Sequence, residues 1–427
     1  MKICRIILII LCSLIIIQSS SPVLAYAAAD NKTAAVKQAV AAKVEAGPDI
    51  KAPSVILAES DRGQVLYGRE PDSKLHIAAL CKLMTILVAI ENAEPDSIVT
   101  ISKDSLVDTQ RSSLNLEAGD KYPLEDLLSA IMLTSANDAA NAVAEHVSKD
   151  INSFVGKMNE TAVRLKMDNT RFMNPTGLYD EYQYTTARDI SNFIKYAMKN
   201  KTFKILFGIK LKPWINKDGT SKLLSSPNNL FWSYNGIEGG KTGYNTKDKQ
   251  ALITAASRNG MELICIILDS PEATLFKDSE ALLDYGFQNF RKSVLVQKGD
   301  EIKTVTVNGA EVKLVSGSDE NYVHPAGTSF IRDLSITTTV EPPILTSKLA
   351  GNAHYTLEDD TVIDVGLYPA TQAPPPADSF IAAARKKLLQ NKDILYLLII
   401  LLFTEAVLFL SKIIKLFKWL FRKLFRA

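Results

Sequence analysis

Three short motifs in this chain carry side chains suited to acyl-transfer chemistry. They are Ala79-Leu80-Cys81-Lys82, Ser135-Ala136-Asn137 and Lys241-Thr242-Gly243. A serine hydroxyl is a weak nucleophile until a base takes its proton, and a desolvated lysine three residues along the same helix face can be that base. Lys82 occupies the position of the base, but position 79 is alanine. The first motif therefore predicts an acyl-transfer site that lacks its attacking oxygen.

Each motif alone has an ordinary structural explanation. Ala79 to Lys82 matches any helical turn, and Ser135 and Asn137 are good helix N-caps. Lys241-Thr242-Gly243, which follows a pair of glycines, fits an exposed turn. Their order and surroundings, however, match the three-part pattern S-x-x-K, S-x-N and K-T-G of serine enzymes that act on penicillin and D-alanyl peptides. The combination, not any single motif, predicts the site.

An antiparallel sheet with helices packed on it is predicted to position these motifs. Residues 55–59 and 64–67 read as strands around a turn, and strands over 251–256 and 263–268 are joined through Asn259-Gly260, a strong hairpin signal. Between these strand pairs, apolar spacing predicts helices over 78–91, 124–133, 138–147, 151–166 and 186–198, and a last helix spans 273–290. Strands at both ends of a helical block indicate an α+β domain.

The N-terminus has the layout of a secretory signal peptide. Lys2 and Arg5 precede an apolar run over 6–17, and small residues follow, with cleavage expected after Ala25 or Ala27. The alternative is an uncleaved N-terminal anchor.

The C-terminal residues also have a membrane-directed composition. Residues 394–411 are mostly apolar and approach the length of a spanning helix. The tail over 412–427 carries six basic residues among aromatic ones, which favours the cytoplasmic side of the membrane. The alternative is an amphipathic helix that lies on the outer surface of the membrane with Glu405 facing the solvent.

These signals predict seven segments. They are a signal peptide (1–25), a tether (26–49), the α+β domain (50–291), a small all-β domain (292–369), a proline-containing linker (370–393), a transmembrane helix (394–411) and a basic amphipathic cytoplasmic tail (412–427). The net charge of +2 includes eight basic residues in the first and last segments, so residues 26–411 carry −6. Nucleic-acid-binding proteins carry a basic surface patch, so this acidic net charge argues against that class of protein. The four histidines and four cysteines show no metal-ligand spacing, so we expect neither a metal nor another cofactor.

Beyond the three motifs, the sequence resembles the low-molecular-weight penicillin-binding proteins, which are the serine-type D-alanyl-D-alanine carboxypeptidases of bacterial cell walls. Further segments that look like family signatures are Ser112-Ser113-Leu114-Asn115-Leu116, Asn174-Pro175-Thr176-Gly177-Leu178 and Thr186-Ala187-Arg188-Asp189. The resemblance covers about residues 50–290 and 293–367. It implies a β-lactamase/transpeptidase-like α+β domain, a small all-β domain and a C-terminal membrane helix at the extracytoplasmic face of a bacterial membrane.

The resemblance also implies a role for each site residue. Lys82 would be the general base for a nucleophile at position 79, and Ser135 and Asn137 would relay protons and hold the peptide amide. Lys241 and Thr242, followed by Gly243, would bind the terminal carboxylate of a peptidoglycan stem peptide ending in D-Ala-D-Ala. The backbone N–H groups of Ala79 and Tyr244 would form the oxyanion hole.

Several positions depart from the family pattern. Ala79 replaces the nucleophile, Cys81 stands where threonine is usual, Ala136 where glycine is frequent and Gln183 where histidine is common. Cys81 lies about 200° around a helix from position 79, so we expect its thiol to point away from the cleft.

Three hypotheses follow from these departures. The first is a pseudoenzyme that binds stem peptides, and β-lactams non-covalently, without acylation. The second is an active carboxypeptidase with a non-standard nucleophile, and the third is a wall scaffold whose cleft binds nothing.

Overall fold

The computed structural model describes residues 47–107, 109, 112–246, 249–307, 310–341, 344–372, 385–387 and 392–424. The chain divides into two compact units. The first ends at Lys292 and also includes Val323–Gly327, and the second contains Ser293–Tyr322 and the residues from Thr328 onward. The predicted signal peptide and most of the tether lie outside the described residues.

In the first unit, strands lie on both sides of a run of helices. Its helices are α1 (Cys81–Asn92), α2 (Leu124–Thr134), α3 (Asn137–Ser148), α4 (Ile151–Arg164), α5 (Ala187–Ala197), α6 (Lys201–Phe207), α7 (Leu230–Ser233) and α8 (Leu275–Asn289). Its strands are β1 (Ser54–Glu59), β2 (Val65–Arg69), β3 (Ile98–Thr100), β4 (Lys121–Pro123), β5 (Leu211–Ile215), β6 (Ser221–Ser225), β7 (Ile237–Thr246), β8 (Lys249–Arg258) and β9 (Met261–Pro271).

A five-stranded antiparallel sheet with the order β2-β1-β9-β8-β7 organises this unit. The β8–β9 hairpin turns at Asn259 and Gly260, whose φ angles of 52° and 75° suit the tight turn that this dipeptide favours. The strand β7, which contains Lys241-Thr242-Gly243, lies at one edge of the sheet.

Both faces of the sheet are buried. Ile264, Ile266 and Leu268 of β9 face a core shared with α1 to α6, whereas Leu263 and Cys265 face a second core shared with α8. Successive side chains of a strand point to opposite faces, so two cores require a strand that is apolar at nearly every position. This arrangement confirms the predicted α+β class.

The predicted helices are confirmed to within a few residues, with one informative difference at the first motif. A 3-10 turn, Ala78–Leu80, precedes α1, so Ala79 stands before the α-helix and Lys82 lies in its first turn. Local capping explains other boundaries. Thr186 caps α5 by accepting a hydrogen bond from the backbone N–H of Asp189. The helix α6 and the hairpin β5–β6 have no counterpart in the sequence-based prediction.

The second unit contains a five-stranded antiparallel sheet. The strands that remain are β10 (Phe290–Val296), β11 (Glu301–Val307), β12 (Ala310–Ser316), β13 (Glu320–Pro325), β14 (Ile331–Thr338), β15 (Gly351–Leu357) and β16 (Val362–Pro369), and the sheet order is β11-β12-β16-β15-β14. Residues of β15 alternate between buried and partly exposed, as expected for a sheet with one face on the core.

A long helix, α9 (Lys392–Leu424), follows near the C-terminus. Among the residues that the structure describes, no helix combines the length and apolar character needed to cross a membrane. The transmembrane helix over 394–411 stays a prediction.

Candidate active site

A cleft of about 770 Å³ in the first unit brings the three motifs together. Its walls come from the 3-10 turn and the start of α1, the α2–α3 junction, the loop over residues 174–179 and the edge strand β7. Of the residues to which the sequence assigned a catalytic or binding role, those that line it are Ala79, Lys82, Ser135, Asn137, Thr242, Gly243 and Tyr244. Lys241 lies directly behind this surface, in contact with Ser135.

Lys82 is almost completely buried at the floor of the cleft. Its Nζ donates a hydrogen bond to the carbonyl oxygen of Thr176. Burial lowers the pKa of Lys82 to about 8, against the opposing influence of Cys81 and Asp138. A lysine with this pKa is substantially neutral under mildly alkaline conditions and can therefore accept a proton there.

Position 79 presents a methyl group to the cleft where the chemistry requires a hydroxyl. The backbone before it is tightly placed: Ala78 has a φ of 52°, and Gly177 packs against its carbonyl. A Cβ atom at Gly177 would lie 2.0 Å from the Ala78 oxygen, and the φ of 73° at position 177 also favours glycine. The loop after Asn174 thus fits closely against the turn that carries Ala79.

Cys81 packs away from the cleft, which confirms the orientation expected from helix geometry. Its side chain is fully buried, and the thiol donates to the carbonyl oxygen of Asn174 at 3.1 Å. Burial raises the pKa of Cys81 to about 12, despite the nearby Lys82. The group is therefore a neutral, inaccessible thiol at physiological pH.

Ser135 ends α2 in a left-handed conformation, with φ 58° and ψ 31°. This backbone state is costly for a residue other than glycine and is a form of strain found at functional sites. It directs the Ser135 Oγ toward Lys241, whose Nζ donates to it at 2.8 Å.

Lys241 is held by three acceptors. Besides Ser135, its Nζ donates to the carbonyl oxygens of Ile131 and Met132 at 3.0 and 2.9 Å, in the last turn of α2. Burial, and next the positive charge of Lys82, lower the pKa of Lys241 well below its usual value. The three oxygens match the three N–H bonds that a lysine ammonium offers.

The α2–α3 junction is fixed by buried polar contacts. The backbone N–H of Asn137 donates to the Ser112 carbonyl at 2.8 Å. The fully buried carboxylate of Asp138 accepts from the Ser113 hydroxyl at 2.5 Å and from the backbone N–H groups of Leu114 and Leu116. One carboxylate therefore holds the segment over 112–116 against the start of α3.

Gln183 has a structural function that the sequence did not reveal. Its Oε1 accepts from the backbone N–H groups of Met173 and Asn174, and its Nε2 donates to the Leu178 carbonyl at 3.0 Å. The side chain ties both ends of the loop whose Thr176 carbonyl holds Lys82. The signature Asn174-Pro175-Thr176-Gly177-Leu178 and the departure at Gln183 both point to this part of the cleft in the sequence, but neither reveals these hydrogen bonds.

The edge strand β7 approaches the 3-10 turn closely at Gly243. A Cβ atom there would lie 3.0 Å from the Leu80 side chain, so a larger residue would require this side chain to shift by a few tenths of an ångström. Thr242 and Tyr244 flank this contact and face the cleft. An edge strand in this position can bind an extended peptide through its backbone groups.

Other lining residues were not identified from the sequence. The rings of His76 and Tyr179 lie 4.6 Å apart between centroids and are tilted by 51° to each other, and Gln250, Glu272 and Phe276 lie at strand ends and on α8. None belongs to a motif, and only the sheet topology brings them to the cleft.

Comparison with known proteins identifies the family. The profile of the peptidase S11 family, D-alanyl-D-alanine carboxypeptidase, matches residues 39–272. The D-alanyl-D-alanine carboxypeptidase of Streptomyces sp. strain K15 is 31% identical over 56% of this chain and 88% of that protein. DacC, the D-alanyl-D-alanine carboxypeptidase of Escherichia coli K12, is 30% identical over 71% of this chain and 78% of its own.

Solved structures agree with this result. Penicillin-binding protein 5 of Haemophilus influenzae superposes with a TM-score of 0.64 and 25% identity, over 77% of this chain and 99% of that one. A serine-to-alanine mutant of the Streptomyces K15 DD-transpeptidase superposes with a TM-score of 0.53 and 31% identity, over 56% of this chain and 99% of that one. This chain belongs to the D-alanyl-D-alanine carboxypeptidase family of cell-wall serine peptidases.

Proposed function

We propose that this protein is an acylation-deficient pseudoenzyme that binds peptidoglycan stem peptides ending in D-Ala-D-Ala. The observation that carries the proposal is Ala79, which stands at the nucleophile position of a site that is otherwise assembled. Removal of the nucleophile of a serine hydrolase lowers turnover on the order of a million-fold, whereas groups that bind the substrate keep their contacts.

The remaining polar groups of the cleft support binding. Lys241 is fixed by three acceptors next to Ser135, and Thr242 presents its side chain to the cleft. Because its N–H bonds are all engaged behind the cleft surface, Lys241 would act on a peptide carboxylate through charge alone, and the edge strand would supply backbone hydrogen bonds. The same contacts would hold a β-lactam non-covalently.

The alternative of an active enzyme with a non-standard nucleophile has less support. Cys81 is buried, protonated and directed at Asn174. The Ser135 hydroxyl is engaged by Lys241, and it stands at the end of α2, whereas position 79 belongs to the 3-10 turn before α1. Neither group combines access to the cleft with an available base.

We also propose that the protein is secreted by its N-terminal segment and held at the outer face of a bacterial membrane by its C-terminal segment. The composition of residues 1–25 and 394–427 supports this location. Protease treatment of intact cells followed by membrane fractionation tests it. A protected or freely soluble protein would contradict it.

Two measurements on the full-length protein in detergent test the proposed function. The first is labelling with a fluorescent penicillin, for which we expect no covalent product. The second is equilibrium binding of diacetyl-L-Lys-D-Ala-D-Ala, for which we expect saturable binding that Thr242→Val weakens by about three- to tenfold through loss of one hydrogen bond. Covalent labelling would contradict the acylation defect, and the absence of any binding would leave the scaffold alternative.

A further inference from the structure

We propose that Lys82 is itself a nucleophile and forms an imine with the keto group of a small 2-oxo acid bound in the cleft. A lysine in this position of a serine hydrolase has a hydroxyl to deprotonate, but position 79 carries only a methyl group here. The amine is thus left without the group that it would serve as a base. The inference concerns the same cleft as the proposed function but requires no peptide binding, so either can fail without the other.

Lys82 and Lys241 are bound differently, and Lys82 is the one whose amine can reach a ligand. The Nζ atom of Lys241 lies behind the cleft surface and donates to three oxygens, which match its three N–H bonds. The Nζ atom of Lys82 has one acceptor in the described part of the chain, the Thr176 carbonyl, and the Lys82 side chain lines the cleft. A neutral Lys82 can therefore keep this hydrogen bond and direct its lone pair toward a ligand.

The surroundings of Lys82 also favour the neutral amine. Burial lowers the pKa of Lys82 to about 8, against the opposing influences of Cys81 and Asp138. Lys241 lies close enough that the charge of Lys82 lowers the pKa of Lys241, so two protonated amines in this buried region disfavour each other. Desolvation and a second cationic group nearby are the two conditions that activate a lysine toward carbonyl compounds.

The proposed step consumes no oxidant or reductant. The Nζ lone pair adds to the keto carbon and forms a C–N bond, and the carbonyl oxygen then leaves as water with the two hydrogens of the amine. A C=N double bond replaces the C=O double bond, and the imine, once protonated by solvent, can again donate to the Thr176 carbonyl. The amide carbonyl of a penicillin would instead have to expel its nitrogen, so this chemistry does not predict labelling by a penicillin.

The cleft also has groups that suit the carboxylate of a 2-oxo acid. The Thr242 side chain lines the cleft and can donate a hydrogen bond, and the Ser135 hydroxyl, which accepts from Lys241, can donate its own hydrogen. A positive charge on Lys241, behind these hydroxyls, would attract an anion. These groups favour a carbonyl compound that carries a carboxylate over a neutral ketone or aldehyde.

Reductive trapping on full-length protein in detergent tests the site. The probe is pyruvate with sodium cyanoborohydride, which reduces an imine to a stable secondary amine, and peptide mass mapping gives the rate at each lysine. At pH 7 we expect Lys82 to react at least about tenfold faster than exposed lysines. About one tenth of Lys82 is then neutral, against less than about one thousandth of an ordinary lysine. Lys82→Met should abolish the fast modification, and the matched control Lys201→Met, at an exposed position outside the cleft, should preserve it.

Two further readouts use the ratio of the rate at Lys82 to the rate at exposed lysines. This ratio should fall above pH 8, because Lys82 is then mostly neutral whereas exposed lysines continue to lose protons. The measurement needs no variant, so it also tests the inference if Lys82→Met does not fold. Pyruvamide, which lacks the charge of pyruvate, should give a ratio about three- to tenfold lower.

The outcomes separate the parts of the inference. Modification of Lys82 no faster than that of exposed lysines, or fast modification that persists in Lys82→Met, would overturn it. Equal ratios for pyruvate and pyruvamide would overturn the choice of a 2-oxo acid as the ligand. None of these results depends on the peptide affinity that tests the proposed function.

Discussion

Restoring the missing hydroxyl by Ala79→Ser is the most direct test of how much of the catalytic site remains. The substitution adds one oxygen to a methyl group that already faces the cleft. Lys82 also lines the cleft that the new oxygen would enter. The strand β7 and the loop over 174–178 are already packed against the 3-10 turn that carries position 79. We therefore expect Ala79→Ser to form a covalent product with a fluorescent penicillin, whereas the unaltered chain forms none.

The pH dependence of this reaction follows from the environment of Lys82. Only the neutral amine can take the serine proton, and burial lowers its pKa from 10.5 to about 8. The neutral fraction is then about one tenth at pH 7 and about nine tenths at pH 9. The acylation rate should rise about tenfold over this interval and level off above it. With an ordinary lysine pKa the rate would still be rising steeply at pH 9.

The assay is the rate of fluorescent-penicillin incorporation by Ala79→Ser as a function of pH, with Ala79→Ser/Lys82→Met as the control. The double variant keeps the hydroxyl but lacks the base, so it should remain unlabelled. A folded Ala79→Ser protein that is not labelled at any pH would refute the view that the rest of the site is intact. Labelling that does not change between pH 7 and 9 would refute the assignment of Lys82 as the base.

Two further predictions concern the packing that holds the cleft together. Gly177→Ala would place a Cβ atom against the Ala78 carbonyl oxygen, so we expect the free energy of unfolding to fall by about 3 kcal/mol or more. The control Gly219→Ala has a similar φ but open space around it, so it should lower the free energy of unfolding by only about 1 kcal/mol. Urea denaturation distinguishes the two, and equal losses would contradict the steric argument. Asp138→Asn replaces a buried acceptor with a group that also carries N–H donors, so we expect a loss of about 2 to 4 kcal/mol, against less than about 0.5 kcal/mol for the exposed Asp96→Asn. A loss below about 1 kcal/mol at position 138 in the same denaturation assay would show that the segment over 112–116 does not depend on this carboxylate.

The sequence predicted the elements whose signals are local. The β8–β9 hairpin follows from Asn259-Gly260, and α5 follows from its apolar spacing and the capping residue Thr186. The three motifs were also predicted to share a site, and in the structure their side chains meet at one cleft. These successes depend on short-range patterns that one sequence displays directly.

Features that depend on distant contacts were not predictable in the same way. The role of Gln183 arises from hydrogen bonds to a loop up to ten residues away, and Glu272 reaches the cleft because three sheet strands end beside it. The 3-10 turn before α1 is a further example, since Gly177 packs against Ala78, almost a hundred residues earlier. Neither the hydrophobic periodicity nor the helix propensity of the sequence around Ala78 and Gly177 encodes such a long-range contact.

The contacts of Lys241 also determine how the cleft responds to a ligand. Its ammonium joins the edge strand β7 to the last turn of α2, so one buried cation links the sheet wall to the helical wall. Widening the cleft would strip this buried amine of its hydrogen-bond acceptors, which costs about 1 to 3 kcal/mol for a buried polar group left unsatisfied. The opening is thus set before a peptide arrives, and little conformational freedom remains to be lost on binding. A receptor built in this way should exchange its ligands rapidly and discriminate among them by fit rather than by closure.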